Sequence, residues 1–250
     1  MKVLRKNGEI VEVNFEEQEG KKAFWHTSAH VLAQAVKRLY PKTKCAIGSA
    51  IENGFYYDFQ FEFSFLEEHL KTIESEMRKI VKESLSLQVY EKSKEEALSF
   101  MENADEKYKI ELIQELNDIE QISFYKQGEY EEFCAGSHIS NVCQIKAIKL
   151  LSVAGAYWRG NEKNQMLTRI YGISFPKAVQ LDEYLYMVEE AKARDHRNCI
   201  IIIFNLKRVH GISIIIPMTR YLPKTSFQHN RRRNFNISFS AMDFPPIINQ

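Results

Sequence analysis

The sequence predicts an α+β fold, in which an antiparallel sheet packs against a long helix. Residues 21–40 place their apolar side chains at helical spacing. Two Asn-Gly pairs, Asn7-Gly8 and Asn53-Gly54, each lie between segments with strand-like composition, which is typical of tight hairpins. Strands and helices neither alternate regularly nor repeat, and this disfavours a doubly wound parallel sheet.

The predicted helices follow from apolar periodicity and from signals at their ends. The first covers Lys21–Tyr40 and is stopped by Pro41. Its apolar stripe consists of Trp25, Ala29, Leu32, Val36 and Leu39. Further helices are predicted over Phe65–Ser84, over Lys94–Glu102 behind the capping box of Ser93 and Glu96, and over Ala178–Arg194.

Strands are predicted where β-branched and aromatic residues cluster beside turn signals. The predicted pairs are Val3–Arg5 with Ile10–Val13, Ala46–Ile51 with Phe55–Phe63, Ile122–Tyr125 with Glu129–Phe133, and Ile145–Val153 with Met166–Tyr171. The glycine-containing segment Ala154–Gly160 is predicted to be the turn of the last pair.

Composition and charge exclude several classes of protein. The 250 residues carry a formal charge of +1, so the chain as a whole has no strong electrostatic attraction for nucleic acid. No apolar run approaches the roughly 20 residues that cross a bilayer, and the N-terminus lacks the apolar core of a secretory signal. The cysteines Cys45, Cys134, Cys143 and Cys199 form no CxxC pair and are too few for a disulfide framework. We therefore expect a reduced, cytoplasmic protein.

The charge of the chain changes sign near residue 198. Residues 1–197 carry a charge of −5, whereas residues 198–250 carry +6 and contain the isoleucine runs Ile200–Ile203 and Ile214–Ile216. One interpretation of this tail is a basic arm for nucleic acid. We favour sequence that was never selected to fold, such as a frameshifted end, because exposed isoleucine clusters promote aggregation.

Two pairs of side chains have the residue types and the spacing of a reactive site. His26 and His30 lie four residues apart in the first predicted helix, so both rings point to one side, at the edge of its buried face. Cys134 and His138 have the same spacing after a predicted strand. Together they offer a set of ligands that zinc accepts, or a cluster for proton transfer. Taken singly, each histidine is also explained as a core-edge residue and the cysteine as a small apolar one.

Longer motifs around these pairs resemble the editing domain of threonyl-tRNA synthetases. The motifs are Phe24–Leu32, Ile47–Asp58, Tyr108-Lys109, Cys134–His138, Ala154–Gly160 and Arg169–Gly172. The resemblance runs in order from about Gly8 to Arg197. Alanyl-tRNA synthetases and freestanding alanyl-tRNA deacylases share the plan of the two pairs, but Ala156–Arg159 resembles the threonyl branch.

The resemblance implies an aminoacyl-tRNA ester hydrolase with the threonyl/alanyl-tRNA synthetase editing-domain fold. Such a domain removes serine that has been wrongly attached to tRNA(Thr). Serine lacks one methyl group of threonine, which is worth only about 1–3 kcal/mol in a binding pocket, so a second pocket that excludes threonine is needed. The implied partner is the acceptor end of tRNA(Thr), with neither DNA nor a membrane involved.

Five catalytic residues are implied by the motifs. They are His26, His30, Lys109, Cys134 and His138. His26 and Lys109 would handle protons, while His138 and Cys134 would shape the pocket and hold water. From the sequence alone, however, Lys109 is expected to be a solvated surface lysine.

Tyr57 and Glu132 are the implied substrate-binding residues, although Tyr57 alone would be interpreted as core packing. Glu132 stands where the family usually has aspartate, so its carboxylate is one methylene further out. Ser137 and Ser49 stand where it usually has proline, and Ala135 where it usually has arginine. These departures suggest relaxed constraint on the site.

The resemblance also implies a domain plan and the cofactors. Residues 1–20 would be a remnant of an N-terminal ubiquitin-like module, 21–197 the editing domain, and 198–250 a basic, isoleucine-rich tail. The class II aminoacylation core, which binds ATP, threonine and zinc, is expected to be absent from this chain, so ligase activity is not expected. No cofactor is expected for editing, although zinc could bind the histidines and the cysteine as in the alanyl branch.

Two alternatives stay open. The chain could be a catalytically silent fragment that holds the tRNA acceptor end through Lys146, Lys149, Arg159 and Lys163. It could also be a zinc-dependent deacylase of the alanyl type.

Overall fold

In the computed structural model, which describes residues 1–116 and 121–193, a long helix packs against antiparallel sheets. The helices are α1 (Gln18–Leu39), α2 (Glu67–Lys82), α3 (Lys94–Asn103), α4 (Lys107–Glu115) and α5 (Ala178–Ala193). The strands are β1 (Lys2–Leu4), β2 (Ile10–Glu12), β3 (Lys44–Ile51), β4 (Gly54–Gln60), β5 (Leu87–Ser93), β6 (Gln121–Gln127), β7 (Tyr130–Phe133), β8 (His138–Ile139), β9 (Ala147–Tyr157) and β10 (Met166–Phe175). This arrangement confirms the predicted α+β class.

A four-stranded sheet with the order β3-β4-β10-β9 forms one wall of the core, and each neighbouring pair is antiparallel. The hairpin predicted around Asn53-Gly54 joins β3 to β4; its turn is Glu52-Asn53, and Gly54 is the first residue of β4, opposite Ile51. Gly54 has a φ of +126°, and a Cβ there would lie 2.3 Å from the carbonyl oxygen of Gly172. The turn therefore requires glycine, both for its backbone conformation and for its approach to β10.

A second sheet, β2-β1-β8, ties the N-terminus to the segment that carries His138. In this sheet Val3 lies opposite Ile139 and Leu4 lies opposite His138. The first 192 residues form one compact unit. The domain boundaries that we placed at residues 20 and 197 stay predictions, and the tail from 198 lies outside the described residues.

The third sheet, β5-β6-β7, contains the predicted hairpin of β6 and β7. Strand β5 was not predicted, yet it pairs with β6 along its whole length, from Leu87 opposite Gln127 to Ser93 opposite Gln121. Its own sequence is mostly polar and charged, so the pairing with β6 decides its conformation. Helices α3 and α4 pack against each other beside this sheet.

Helix α1 is buried on nearly every side. From Ala23 to Val36 each side chain is buried except that of His26, which is partly exposed. The prediction of a single apolar stripe was wrong in this respect, because α2, β8 and the four-stranded sheet together surround the helix. Although α1 has 22 residues, neither it nor any other helix in the described part of the chain is long and apolar enough to cross a membrane.

Other differences from the predicted elements have a tertiary cause. Helix α1 begins three residues earlier than predicted, and α4 was not predicted at all. The turn predicted over Ala154–Gly160 was wrong for its first four residues, which extend β9 because they pair with β10. The chain reverses in the loop of residues 158–165, which begins with the short helical turn Trp158–Gly160, where Arg159 has a φ of +56°.

Candidate active site

The two predicted pairs of side chains meet where α1 packs beside residues 134–138, which run from the end of β7 to the first residue of β8. The Sγ atom of Cys134 lies 3.3 Å from the Nε2 atoms of both His26 and His138. His30 completes the group, in which one donor atom from each of the four side chains lies within 4.8 Å of the others. We call these four residues the His/Cys cluster. The structure thus brings both pairs together, while their catalytic roles stay predictions.

Close packing fixes the rings of the cluster. The ring centroid of His138 is 4.4 Å from that of His26 and 4.3 Å from that of His30. Gly136 lets the loop after Cys134 approach, because a Cβ at this position would lie 2.4 Å from two atoms of the His26 ring. The backbone N–H of Gly136 also donates to Cys134 Sγ at 3.3 Å. A larger residue at position 136 would displace either the loop or the ring.

Burial decides the protonation of the cluster. Burial, and after it the nearby charge of His30, lowers the pKa of His26 to about 3. Burial likewise lowers the pKa values of His30 and His138, and it raises the pKa of Cys134 to about 12. At neutral pH the cluster therefore holds three neutral imidazoles and a protonated thiol. Neutral imidazoles keep a lone pair that accepts a proton or binds a metal ion.

Glu132 is the centre of a second group of buried polar side chains. Its Oε1 accepts hydrogen bonds from the Tyr57 hydroxyl and the Lys109 ammonium. Its Oε2 accepts a hydrogen bond of 2.9 Å from the Tyr130 hydroxyl and lies 3.6 Å from His30 Nε2. Burial alone would raise the pKa of Glu132, but the positive charge of Lys109 outweighs it and holds that pKa below its usual value. The carboxylate is therefore ionised, with protein partners on both oxygens.

Lys109 is buried, so the expectation of a solvated surface lysine was wrong. Only 5% of this residue is exposed, and its Nζ lies 5.4 Å from the ring centroid of Tyr57. Helix α4 carries it inward, and Glu106 anchors the start of that helix. The Glu106 carboxylate accepts hydrogen bonds from the backbone N–H of Cys45 at 2.8 Å and from Lys37 at 2.6 Å. Tyr57 is fully buried, in agreement with its interpretation as a core residue.

A cavity of about 300 Å³ adjoins the Lys109–Glu132 ion pair. The ion pair of Lys37 and Glu106 lies in its wall, and apolar side chains of α3, among them Met101, line another part. The residues of the His/Cys cluster do not line this cavity. The Lys109–Glu132 ion pair thus lies between the His/Cys cluster and a small cavity that has both charged and apolar walls.

Three residues beside the site were not predicted from the sequence: Thr27, Glu106 and Tyr130. Tyr130 precedes Glu132 by two residues in β7, so strand periodicity would have placed both on one face. Thr27 and Glu106 contact partners that are distant along the chain, with Thr27 reaching β8 and Glu106 reaching β3. No local pattern marks such contacts.

The donor set of the cluster fits a metal ion. Zinc accepts histidine nitrogen at about 2.0–2.1 Å and cysteine sulfur at about 2.3 Å, so tetrahedral ligand atoms lie about 3.5 Å apart. The 3.3 Å separations of Cys134 Sγ from His26 and His138 Nε2 are close to that spacing. The cluster could therefore hold zinc.

Part of the site lies within a segment that matches a known protein family. Residues 122–171, which include Cys134 and His138, match the family described as the threonyl and alanyl tRNA synthetase second additional domain. Over these residues the chain is similar to that domain.

Curated relatives extend the similarity to the rest of the chain. It is 60% identical to the threonine–tRNA ligase of Caldanaerobacter subterraneus subsp. tengcongensis over 194 residues, which are 78% of this chain and 30% of that protein. The ligase of Clostridium novyi is 49% identical over 253 residues, which cover 100% of this chain and 40% of the relative. That of Clostridium tetani is 56% identical over 197 residues, 79% of this chain and 31% of the relative. The chain is thus related to threonyl-tRNA synthetases and spans 30–40% of the length of these relatives.

The cations that we considered for RNA binding are not all available. Lys149 pairs with Glu74 at 3.2 Å, and Arg159 pairs with Glu111 at 3.1 Å. Lys146 and Lys163 are exposed. A basic patch made from these four residues is therefore partly neutralised in this relative of the synthetases.

Proposed function

We propose that this chain hydrolyses the ester between serine and tRNA(Thr), as the editing part of a threonyl-tRNA synthetase. One observation carries the proposal. In a relative of threonyl-tRNA synthetases, the His/Cys cluster lies against a buried lysine–glutamate pair, and the 3.6 Å contact between His30 and Glu132 joins the two groups. Neutral bases and a cation therefore stand side by side, as ester hydrolysis requires.

The proposed reaction is attack of water on the ester carbonyl carbon, followed by cleavage of the bond to the terminal ribose oxygen. In this scheme His26 accepts the proton of the water, because its neutral ring is partly exposed. The proton is returned to the ribose oxygen, so the reaction consumes water alone. Lys109 supplies positive charge near the ester, while His138 and Cys134 shape the pocket and hold the water.

To exclude threonine, the substrate pocket needs a rigid wall that cannot move to make room for one additional methyl group. We propose Tyr57 and Glu132 for that wall. The ring of Tyr57 packs against the backbone of Gly48 so closely that a Cβ on Gly48 would lie 2.2 Å from it. Glu132 has protein partners on both carboxylate oxygens, which holds it in place.

A zinc ion, if bound by His26, His30, Cys134 and His138, would supply a Lewis acid at this site. The proposed roles of Lys109, Tyr57 and Glu132 are the same with or without it. Persistence of hydrolysis in a strong chelator is expected for the metal-free reaction.

The test is the release of serine from Ser-tRNA(Thr) by the 250-residue chain, with Thr-tRNA(Thr) as the substrate that should be spared. His26→Ala is expected to lower the rate by roughly 100-fold, the lower end of the range for loss of a general base. His69→Ala is the matched control, because His69 lies on α2 and outside the cluster. Equal cleavage of both esters, or an unchanged rate in His26→Ala, would contradict the proposal.

A zinc-dependent deacylase for alanyl esters is the second candidate, and the donor set of the cluster favours it. It predicts one zinc ion per chain, cleavage of Ala-tRNA esters and loss of activity in a chelator. Selective cleavage of Ser-tRNA(Thr) in the chelator would exclude this candidate.

A further inference from the structure

We propose that Thr27 is a positioning residue that sets the tautomer of His138, so that Nδ1 carries the proton and the lone pair of Nε2 faces the His/Cys cluster. Thr27 lies on α1 between the two cluster histidines of that helix and is completely buried. Its hydroxyl oxygen is 3.2 Å from His138 Nδ1. The tautomer follows from geometry; its effect on hydrolysis rests on the proposed function.

The single hydroxyl proton of Thr27 is already used. Its Oγ1 lies 2.8 Å from the carbonyl oxygen of Ala23, one turn earlier in α1. Two oxygens at this distance need a proton between them, and a carbonyl has none to offer. Thr27 is therefore the donor in this contact.

The remaining capacity of Thr27 Oγ1 is to accept. The backbone N–H of Ile139 donates to it at 3.0 Å, which occupies one lone pair. The 3.2 Å contact with His138 Nδ1 can then be a hydrogen bond only if Nδ1–H donates to the other lone pair. With one donor and two acceptor positions filled, the buried hydroxyl has all its partners.

This assignment decides what His138 offers to the cluster. A neutral imidazole carries one proton, so Nε2 is left with a lone pair directed at Cys134 Sγ, 3.3 Å away. His138 can then accept a hydrogen bond from the thiol or from a water molecule but cannot donate one. The hydroxyl of Thr27 thus makes His138 Nε2 a hydrogen-bond acceptor within the cluster.

The neighbouring Ser28 offers a matched control. It makes the same backbone contact one turn back, donating to the Phe24 carbonyl at 3.0 Å, and it is also completely buried. Its other contact is with the hydroxyl of Ser174 at 2.6 Å, whereas its hydroxyl makes no hydrogen bond to a cluster histidine. Thr27 and Ser28 therefore differ in the one contact on which the proposal depends.

The primary experiment is ¹⁵N NMR of the histidine rings in the 250-residue chain, in chelator and at neutral pH, because a protonated and an unprotonated ring nitrogen have distinct resonances. For His138 we expect Nδ1 protonated and Nε2 unprotonated. A protonated Nε2 in the unmodified chain would overturn the proposal, and this measurement requires neither a variant nor hydrolytic activity.

Variants test whether Thr27 is the cause of this tautomer of His138. Thr27→Val keeps the shape but removes the acceptor, and a population with protonated Nε2 is expected to appear at His138. Thr27→Ser restores the hydroxyl and should restore the original tautomer, while Ser28→Ala should not change it. An unchanged tautomer in Thr27→Val, or an equal change in Ser28→Ala, would overturn the role of Thr27.

The consequence for hydrolysis is measured separately. Loss of a residue that orients a catalytic histidine lowers activity by roughly 10- to 100-fold, and we expect Thr27→Val to lower kcat by this factor with little change in KM. Thr27→Ser should recover most of the loss. If the NMR result holds but neither the unmodified chain nor any variant releases serine, the proposed function fails while the tautomer assignment stands.

Discussion

Lys109 and Glu132 form a buried ion pair that joins α4 to β7, with side chains that are only 6% and 5% exposed. The pair lies at the meeting point of the site's two halves, because Glu132 also contacts His30 of the cluster. Because both side chains are buried, each charge depends on the other to offset the loss of its hydration. Loss of the Lys109–Glu132 ion pair is therefore expected to lower the stability of the chain as well as the proposed hydrolytic activity.

Glu132→Gln is expected to lower the free energy of unfolding by about 3–5 kcal/mol, because it leaves the buried ammonium of Lys109 without a counter-ion. The double variant Lys109→Met/Glu132→Gln should be less destabilised than the sum of its single changes. Urea unfolding of the three variants measures this coupling.

The matched control for that double-mutant cycle is Lys126→Met, since Lys126 is exposed and pairs with the half-buried Glu131 on the same hairpin. Its effect should be below about 1 kcal/mol. Strictly additive effects of the changes at 109 and 132 would show that the buried pair is not coupled.

Gly136→Ala is expected to displace the His26 ring from Cys134 while leaving the fold intact, because the new Cβ would lie 2.4 Å from that ring. A displacement of about 1 Å in an active site can lower activity by roughly 100-fold, and we expect a loss of this size in serine release. Ala135→Ser in the same loop is the control, since residue 135 is exposed. Full activity of Gly136→Ala would contradict the role of His26.

Acid is expected to destabilise the chain before its carboxylates titrate. The pKa of His26 is lowered from 6.5 to about 3 in the folded chain, and burial lowers those of His30 and His138 as well. Below about pH 6.5 the unfolded chain therefore binds more protons than the folded chain. The contribution of the three neutral histidines to the free energy of unfolding is fully present above that pH. It is lost as the pH falls, by up to about 1.4 kcal/mol per pH unit for each histidine.

Urea unfolding at several pH values between about 7.5 and 5, with a chelator present, measures this dependence. His26→Gln should have a shallower slope than the unmodified chain, because one of the three groups is gone. The same unfolding free energy at both ends of this pH range would mean that the histidines titrate normally in the folded state.

Cys134 is expected to react slowly with iodoacetamide at neutral pH, because burial raises its pKa to about 12 and the thiolate is the nucleophile. The rate should rise about tenfold for each pH unit between roughly 8 and 10, in proportion to the thiolate fraction. Peptide mass spectrometry follows the labelling of this residue. Rapid labelling near pH 7 would show that the cluster stabilises a thiolate.

Local patterns in the sequence were sufficient for much of the fold. The helix around His26 and His30 was predicted from apolar spacing, and the Asn53-Gly54 hairpin from its turn residues. Strand β5 and helix α4 were missed because their own sequences carry weak signals and their conformations depend on packing. The burial of Lys109 was missed for the same reason, since α4 is what carries it inward.

The sequence by itself determined the α+β class and the four-residue spacing within each half of the His/Cys cluster, because turns and helical periodicity act over a few residues. Motif resemblance, rather than spacing, indicated that the halves belong to one site. Only the tertiary structure decided that three imidazoles are neutral, that Glu132 has protein partners on both oxygens, and that Thr27 touches His138. These properties depend on burial and on contacts between segments that are distant along the chain, and no local pattern encodes them. Thr27 and His138, for example, are 111 positions apart.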